Sequence, residues 1–154
     1  MAQINKPSDY FDTKLYTGGN GSSTTISGLN FRPDFAWCKS RDTTAVHGLM
    51  DILRSGANGH GWVRSESTDA ENNTSGRGNI SSWNSDGYVL SADTWGAVNW
   101  LSGNYVAWNW KAGGTGVSNT DGTITSTVSA NTTSGFSIAT YTGNQSSGAT
   151  FGHG

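Results

Sequence analysis

The sequence predicts an all-β fold of antiparallel sheets packed face to face, and three observations predict it. Turn residues recur every few positions and no segment keeps helical periodicity for long, so the chain reads as a series of short strands. Hydrophobic residues make up 33% and charged residues 13% of the 154, and Gly, Ser, Thr and Asn fill much of the remainder. Yet 11% are aromatic, with seven tryptophans, which sets the chain apart from disordered sequences. A thin, aromatic core suits stacked sheets, because every second residue of a strand points outward and is free to be polar.

Residues 11–16 alternate toward a turn at Thr17-Gly18-Gly19-Asn20-Gly21. Phe35-Ala36-Trp37-Cys38-Lys39, after Pro33-Asp34, is the next strand. Residues 47–53 fit a strand or one short helical turn, and the glycines and polar residues on both sides favour the strand. Trp62-Val63-Arg64 is short, and residues 66–79, almost without apolar side chains, read as a surface loop. Ile80-Ser81-Ser82-Trp83 and Tyr88-Val89-Leu90 flank Asn84-Ser85-Asp86-Gly87, whose Asp-Gly step tolerates positive φ and marks the clearest hairpin.

Across residues 105–111, Tyr105, Ala107, Asn109 and Lys111 share one face and Val106, Trp108 and Trp110 the other; the second face is expected to be core. Residues 112–116 read as a linker or wide turn. Asn119-Thr120-Asp121-Gly122 then turns into a strand at 123–128, and residues 135–141 form one more, with Phe136 and Ile138 on one face.

Tyr16-Thr17-Gly18-Gly19-Asn20-Gly21-Ser22-Ser23 recurs, one residue shorter, as Tyr141-Thr142-Gly143-Asn144-Gln145-Ser146-Ser147. The organisation this suggests is an N-terminal arm at 1–9 and a β-sandwich module at 10–112. A turn or hairpin connection at 113–134 follows, and 135–154 is either a closing strand or the start of a second, truncated repeat. The sequence is then the front part of a longer protein, or its last strand completes the first domain.

A net charge of -2, a pI near 5.8 and singly scattered basic residues argue against a nucleic-acid partner. No apolar run approaches a membrane span. The single Cys38, between Trp37 and Lys39, reads as a packing residue.

Catalytic patterns are weak. Glu66, Asp69 and Glu71 sit together in the polar loop, but a jelly-roll glycosidase needs carboxylates facing one sugar about 5–5.5 Å apart. Here the spacing puts Glu66 on the opposite face to the other two. They are expected to be solvated, with calcium the metal such a loop would take. His47, His60 and His153 are far apart, and no nucleophile elbow or phosphate loop occurs, so no enzyme is expected. Trp37, Trp108, Trp110 and Trp83 lie in strand patterns and are expected in core or interface. Trp95 and Trp100 fall between Leu90 and Tyr105, where no period forces burial. Each is a packing plug or a ligand platform; with His60 they are the candidate contacts for a glycan or a neighbouring chain, Trp95 foremost.

Four segments carry a family resemblance: Tyr10-Phe11-Asp12-Thr13-Lys14-Leu15-Tyr16-Thr17-Gly18, Phe31-Arg32-Pro33-Asp34-Phe35-Ala36-Trp37, Ser85-Asp86-Gly87-Tyr88-Val89-Leu90 and Tyr105-Val106-Ala107-Trp108-Asn109-Trp110-Lys111-Ala112-Gly113-Gly114. Together they resemble a repeated module of tail-fibre and other virion proteins of marine and cyanobacterial bacteriophages, over nearly the whole chain. Such proteins carry further copies after a Gly-His-Gly segment like Gly152-His153-Gly154. The resemblance implies a lectin-like, jelly-roll or concanavalin-like antiparallel β-sandwich located in the virion. It implies a non-enzymatic structural protein, the N-terminal module of a tail or head fibre that mediates attachment to the particle or host. Its partners would be other virion proteins and copies of itself, with a trimer favoured. The alternative is a carbohydrate-binding module for host surface glycans. No catalytic residue carries over.

Overall fold

The computed structural model describes residues 4–54, 61–71, 77–100 and 102–154. A 3-10 turn at Pro7–Asp9 precedes β1 (Phe11–Thr17), β2 (Thr24–Ile26), β3 (Phe35–Ser40), β4 (Gly48–Asp51), β5 (Trp62–Val63) and β6 (Ile80–Asn84). Then come β7 (Gly87–Leu90), β8 (Asn104–Trp110), β9 (Val117–Asn119), β10 (Ser126–Asn131) and β11 (Phe136–Tyr141). They form three sheets, ordered β1-β8-β3-β4-β5, β2-β7-β6 and β11-β10-β9, and strands within each pair antiparallel. The all-β sandwich expected from composition is the fold observed. Among the described residues no helix is long and apolar enough to cross a membrane.

The core lies between the five-stranded sheet and β2-β7-β6. Ile26, Ile80, Tyr88 and Leu90 on one side meet Ala36, Cys38, Met50, Trp62 and Ala107 on the other, with Ala97 and Val98 wedged in from the β7–β8 connection. The third sheet packs on the opposite face: the Phe136 ring sits 6.0 Å from Phe35 and 5.9 Å from Trp110, stacked on the latter. The five-stranded sheet is thus the middle of three layers.

That position corrects the expected core face of β8. The alternation is as read, but Tyr105, Ala107 and Asn109 are buried, while Val106, Trp108 and Trp110 are half-buried. β3 repeats the pattern: Ala36 and Cys38 point in, Phe35 and Trp37 out. The facing sheet fills the gap opposite β3 and β8 with bulky Tyr88, Leu90 and Ile80, and the small Ala36, Cys38 and Ala107 answer it there at native packing density. The tryptophans take the outer face, where Trp37 meets Trp108 edge-on at 5.8 Å. Asn109 lies inside with its Nδ2 donating to the carbonyls of Asp12 and Ala107, while its Oδ1 is buried without a partner.

The β6–β7 hairpin forms where expected, with Ser85 and Asp86 as its two-residue loop. Its glycine serves another purpose. Gly87 is not left-handed; a Cβ there would collide with the main-chain carbonyl of Ile26 on the neighbouring β2. The hairpin tip is pinned to the chain after β2 by Leu29 N–H donating to the Asp86 carbonyl and Gly28 N–H to its carboxylate.

The strand expected at 123–128 begins later, at Ser126. Thr123 and Ile124 instead donate their N–H groups to the Thr150 carbonyl, bridging to Phe151. Phe151 in turn stacks on Tyr141 at 4.2 Å, and Ser126 Oγ donates to the Gly152 carbonyl, so residues 150–154 run across the third sheet. The two copies of the Tyr-Thr-Gly pattern therefore end in different surroundings. Tyr16 stacks on Tyr105 and donates its hydroxyl to the Val98 carbonyl, whereas Tyr141 is 52% exposed.

Cys38 is fully buried, its sulfur 3.8 Å from the Tyr88 hydroxyl, and burial pushes its thiol up to about 11 from an ordinary value of 9.0. Burial also raises Tyr16 and Tyr88. The unfolded thiol loses its proton first, so its stabilising contribution is complete below pH 9, declines above it, and is gone by about pH 11. The thiol's share is about 2–3 kcal/mol, and the tyrosines add to it in the same direction. Urea denaturation at pH 8 and pH 10.5 should show this loss, with a smaller pH dependence in Cys38→Ala.

Candidate functional site

Between β7 and β8 the chain makes few ladder bonds, and buried polar side chains hold it in their place. Asp93 is fully buried. One carboxylate oxygen accepts the N–H groups of Trp95 and Gly96 at 2.8 and 3.0 Å; the other accepts those of Val98 and Asn99 at 2.8 and 3.1 Å. Four donors that would otherwise be buried without partners are thus satisfied by one side chain.

Asn99, also fully buried, does the same outward. Its Oδ1 accepts from Gly19 N–H and the Thr24 hydroxyl, and its Nδ2 donates to the carbonyls of Ser22 and Ser91. The β1–β2 turn and the β7–β8 connection are thereby tied together. The Tyr105 hydroxyl closes the end of the segment, donating to the Trp100 carbonyl and accepting its N–H at 2.9 and 3.1 Å.

This framework displays two tryptophans, Trp95 at 45% and Trp100 at 42% exposure. The Trp100 indole lies against the main chain of Gly96, which is left-handed at φ 100°; a Cβ there would come within 2.7 Å of the ring. Both indoles line a cleft of about 280 Å³, with Thr43, Thr44, Ala45 and Val46 from the β3–β4 connection as the other wall. Two arginines lie over Trp95, with guanidinium carbons 4.9 Å (Arg64) and 3.9 Å (Arg77) from the ring centroid. Arg64 follows β5 directly, and Arg77 is bridged to Asp93 through the backbone.

Of the residues singled out in the sequence, Trp95 and Trp100 are brought together, and His60 lies outside the described residues. Trp37, Trp108 and Trp110 stand half-buried on the outer face of the middle sheet, and Trp83 packs at the core margin. The three loop carboxylates go to three different partners. Glu66 accepts the His47 main-chain N–H, Asp69 pairs with Arg64 at 2.7 Å, and Glu71 lies beside Gly61. Among the described residues no three acidic, histidine or cysteine side chains gather at a metal-binding distance. Sequence reasoning missed Asp93, Asn99, Arg64, Arg77 and the threonine wall.

Fold and site together define a three-layered antiparallel β protein with an aromatic cleft at one rim. The chain belongs to the family described as a domain of unknown function, DUF7483, which it matches over residues 6–154. Neither a curated protein nor a solved structure matches it.

Removing the Asp93 carboxylate strands four buried N–H groups. Asp93→Ala should cost roughly 3–5 kcal/mol in urea denaturation, with Asp93→Asn, which keeps one acceptor oxygen, falling between it and the parent.

Proposed function

We propose that this chain is a non-enzymatic attachment module of a bacteriophage virion, carried in a tail or head fibre, whose Trp95–Trp100 cleft contacts a glycan on the host surface. The observation that carries the contact is the pair of exposed indoles held beside a cleft by a fully satisfied buried polar frame. A sugar ring presents C–H groups to an aromatic face and hydroxyls to its surroundings, and this cleft offers both indoles and the side chains of Thr43 and Thr44. Because the frame is fixed before ligand arrives, little ordering entropy opposes binding.

The virion setting rests on the resemblance of the four segments, and the jelly-roll description of the sandwich belongs to the same reading. Self-association is supported by the surface. Leu15 on the edge strand β1 is 65% exposed, beside a half-buried row of Val106, Trp108 and Trp37. Fibre subunits commonly meet as closed symmetric assemblies, and a trimer is the form favoured here.

A glycan array probed with the purified chain, with and without calcium, tests the contact. The parent should bind at least one class of glycan above background, and Trp95→Ala should abolish that signal while lowering the free energy of unfolding by only about 1–2 kcal/mol, the order of the two cation–π contacts it loses, so that the chain stays folded. Light scattering after size exclusion tests the fibre setting: a trimer mass supports it, and a monomer at high micromolar concentration counts against it.

A further inference from the structure

We propose that the Trp95–Trp100 cleft selects an acidic sugar, one whose ring carries a carboxylate, over the neutral sugar of the same shape. The inference rests on the glycan reading above and adds the charge of the ligand. Its basis is the unequal fate of the two arginines over Trp95. Arg64 is neutralised by Asp69 at 2.7 Å. Arg77, closer to the indole at 3.9 Å, forms no ion pair among the described residues. Residues 1–3, 55–60, 72–76 and 101, which complete the chain, contain no Asp or Glu.

The carboxylate nearest in the chain, Asp93, is buried and occupied by four amides. No acidic residue lines the cleft. In a protein of net charge -2, Arg77 is therefore a cation without an ion-pair partner among the described residues, held over Trp95, one of the two exposed indoles that line the cleft.

A guanidinium over an indole is partly dehydrated on that side and keeps donors for a partner elsewhere. A carboxylate accepts two of them in parallel, as a charge-assisted pair, whereas a neutral hydroxyl takes one weaker bond. With the sugar ring against an indole and Thr43 and Thr44 toward its hydroxyls, Arg77 is the group that tells a uronate or sialate from its uncharged analogue.

Calorimetric titration with matched pairs tests this: trigalacturonate against trigalactose, and sialyllactose against its carboxyl methyl ester, which keeps the shape and loses the charge. At least one acidic member should bind about tenfold or more tightly than its neutral counterpart, the worth of one charge-assisted bidentate contact. The margin should narrow as salt is raised. In Arg77→Gln the acidic ligand should fall to the affinity of its neutral partner, whose own affinity stays unchanged. Arg64→Gln should cost less. Arg77→Lys, which keeps the charge and loses the fork, should retain part of the margin and serves as the readout if the Gln variant is poorly folded.

Equal affinity within every pair, or a margin that survives in Arg77→Gln, overturns the acidic selection and leaves the glycan reading standing. No binding of any pair, together with a blank glycan array, overturns both.

Discussion

One constraint shapes this molecule: a chain with few hydrophobic residues must build a core on one face of its middle sheet and shield part of the other. Along β3 and β8 it does so by dividing labour between the two faces, while Met50 of β4 and Trp62 of β5 fill the core beside them. Small side chains, Ala36, Cys38 and Ala107, face the β2-β7-β6 sheet, whose bulky Tyr88, Leu90 and Ile80 occupy the gap. Large ones, Phe35, Trp37, Trp108 and Trp110, face the other way, and part of that row is roofed by Phe136 from the third sheet. Alternation supplies the two faces, and size complementarity decides which neighbour each can accept.

Where the chain leaves its ladders, buried polar side chains replace them. Asp34 joins the middle sheet to the linker ahead of β9 by accepting the N–H groups of Ala112 and Gly114 at 2.9 and 3.2 Å, while burial raises its carboxyl above the ordinary range. Asp93 and Asn99 do the corresponding work between β7 and β8. Asp93 and Asn99 have every polar side-chain atom bonded, whereas Asp34 uses one carboxylate oxygen and leaves the other buried without a partner; shielded from water, satisfied polar groups rigidify the backbone and unsatisfied ones are costly. The low content of charged residues is in keeping with this use of them: a few carboxylates are spent inside, on amides.

The strands were legible because their signals are local. Alternation in residues 11–16, 35–39 and 105–111 and the turn at Ser85-Asp86 needed no knowledge of distant partners. The errors came where a distant partner decides. Which face of β8 is core depends on the volume of Tyr88 and Leu90 across the gap, and the late start of β10 depends on Thr150 and Phe151 taking the groups of Thr123 and Ile124. At the candidate site, Trp95 and Trp100 stood out because no period claimed them, but the other wall comes from residues 43–46 and the cations from positions 64 and 77, which only the fold brings together. A signal for the frame was present: in Asp93-Thr94-Trp95-Gly96 an aspartate precedes by two and three residues the amides that it accepts, the pattern of an Asx turn.

The clamp at Asp93 touches only main-chain atoms of the segment it organises. It is therefore indifferent to most of what the loop carries outward. The side chain at position 95 can be exchanged for another without disturbing the path of the backbone beneath it, while Gly96 stays bound to its left-handed geometry and Trp100 to its place above it. Within such a frame, what the loop recognises is separable from how it folds: a different side chain at position 95 changes the surface offered to a ligand and leaves the Asp93 clamp and the Gly96 turn as they are.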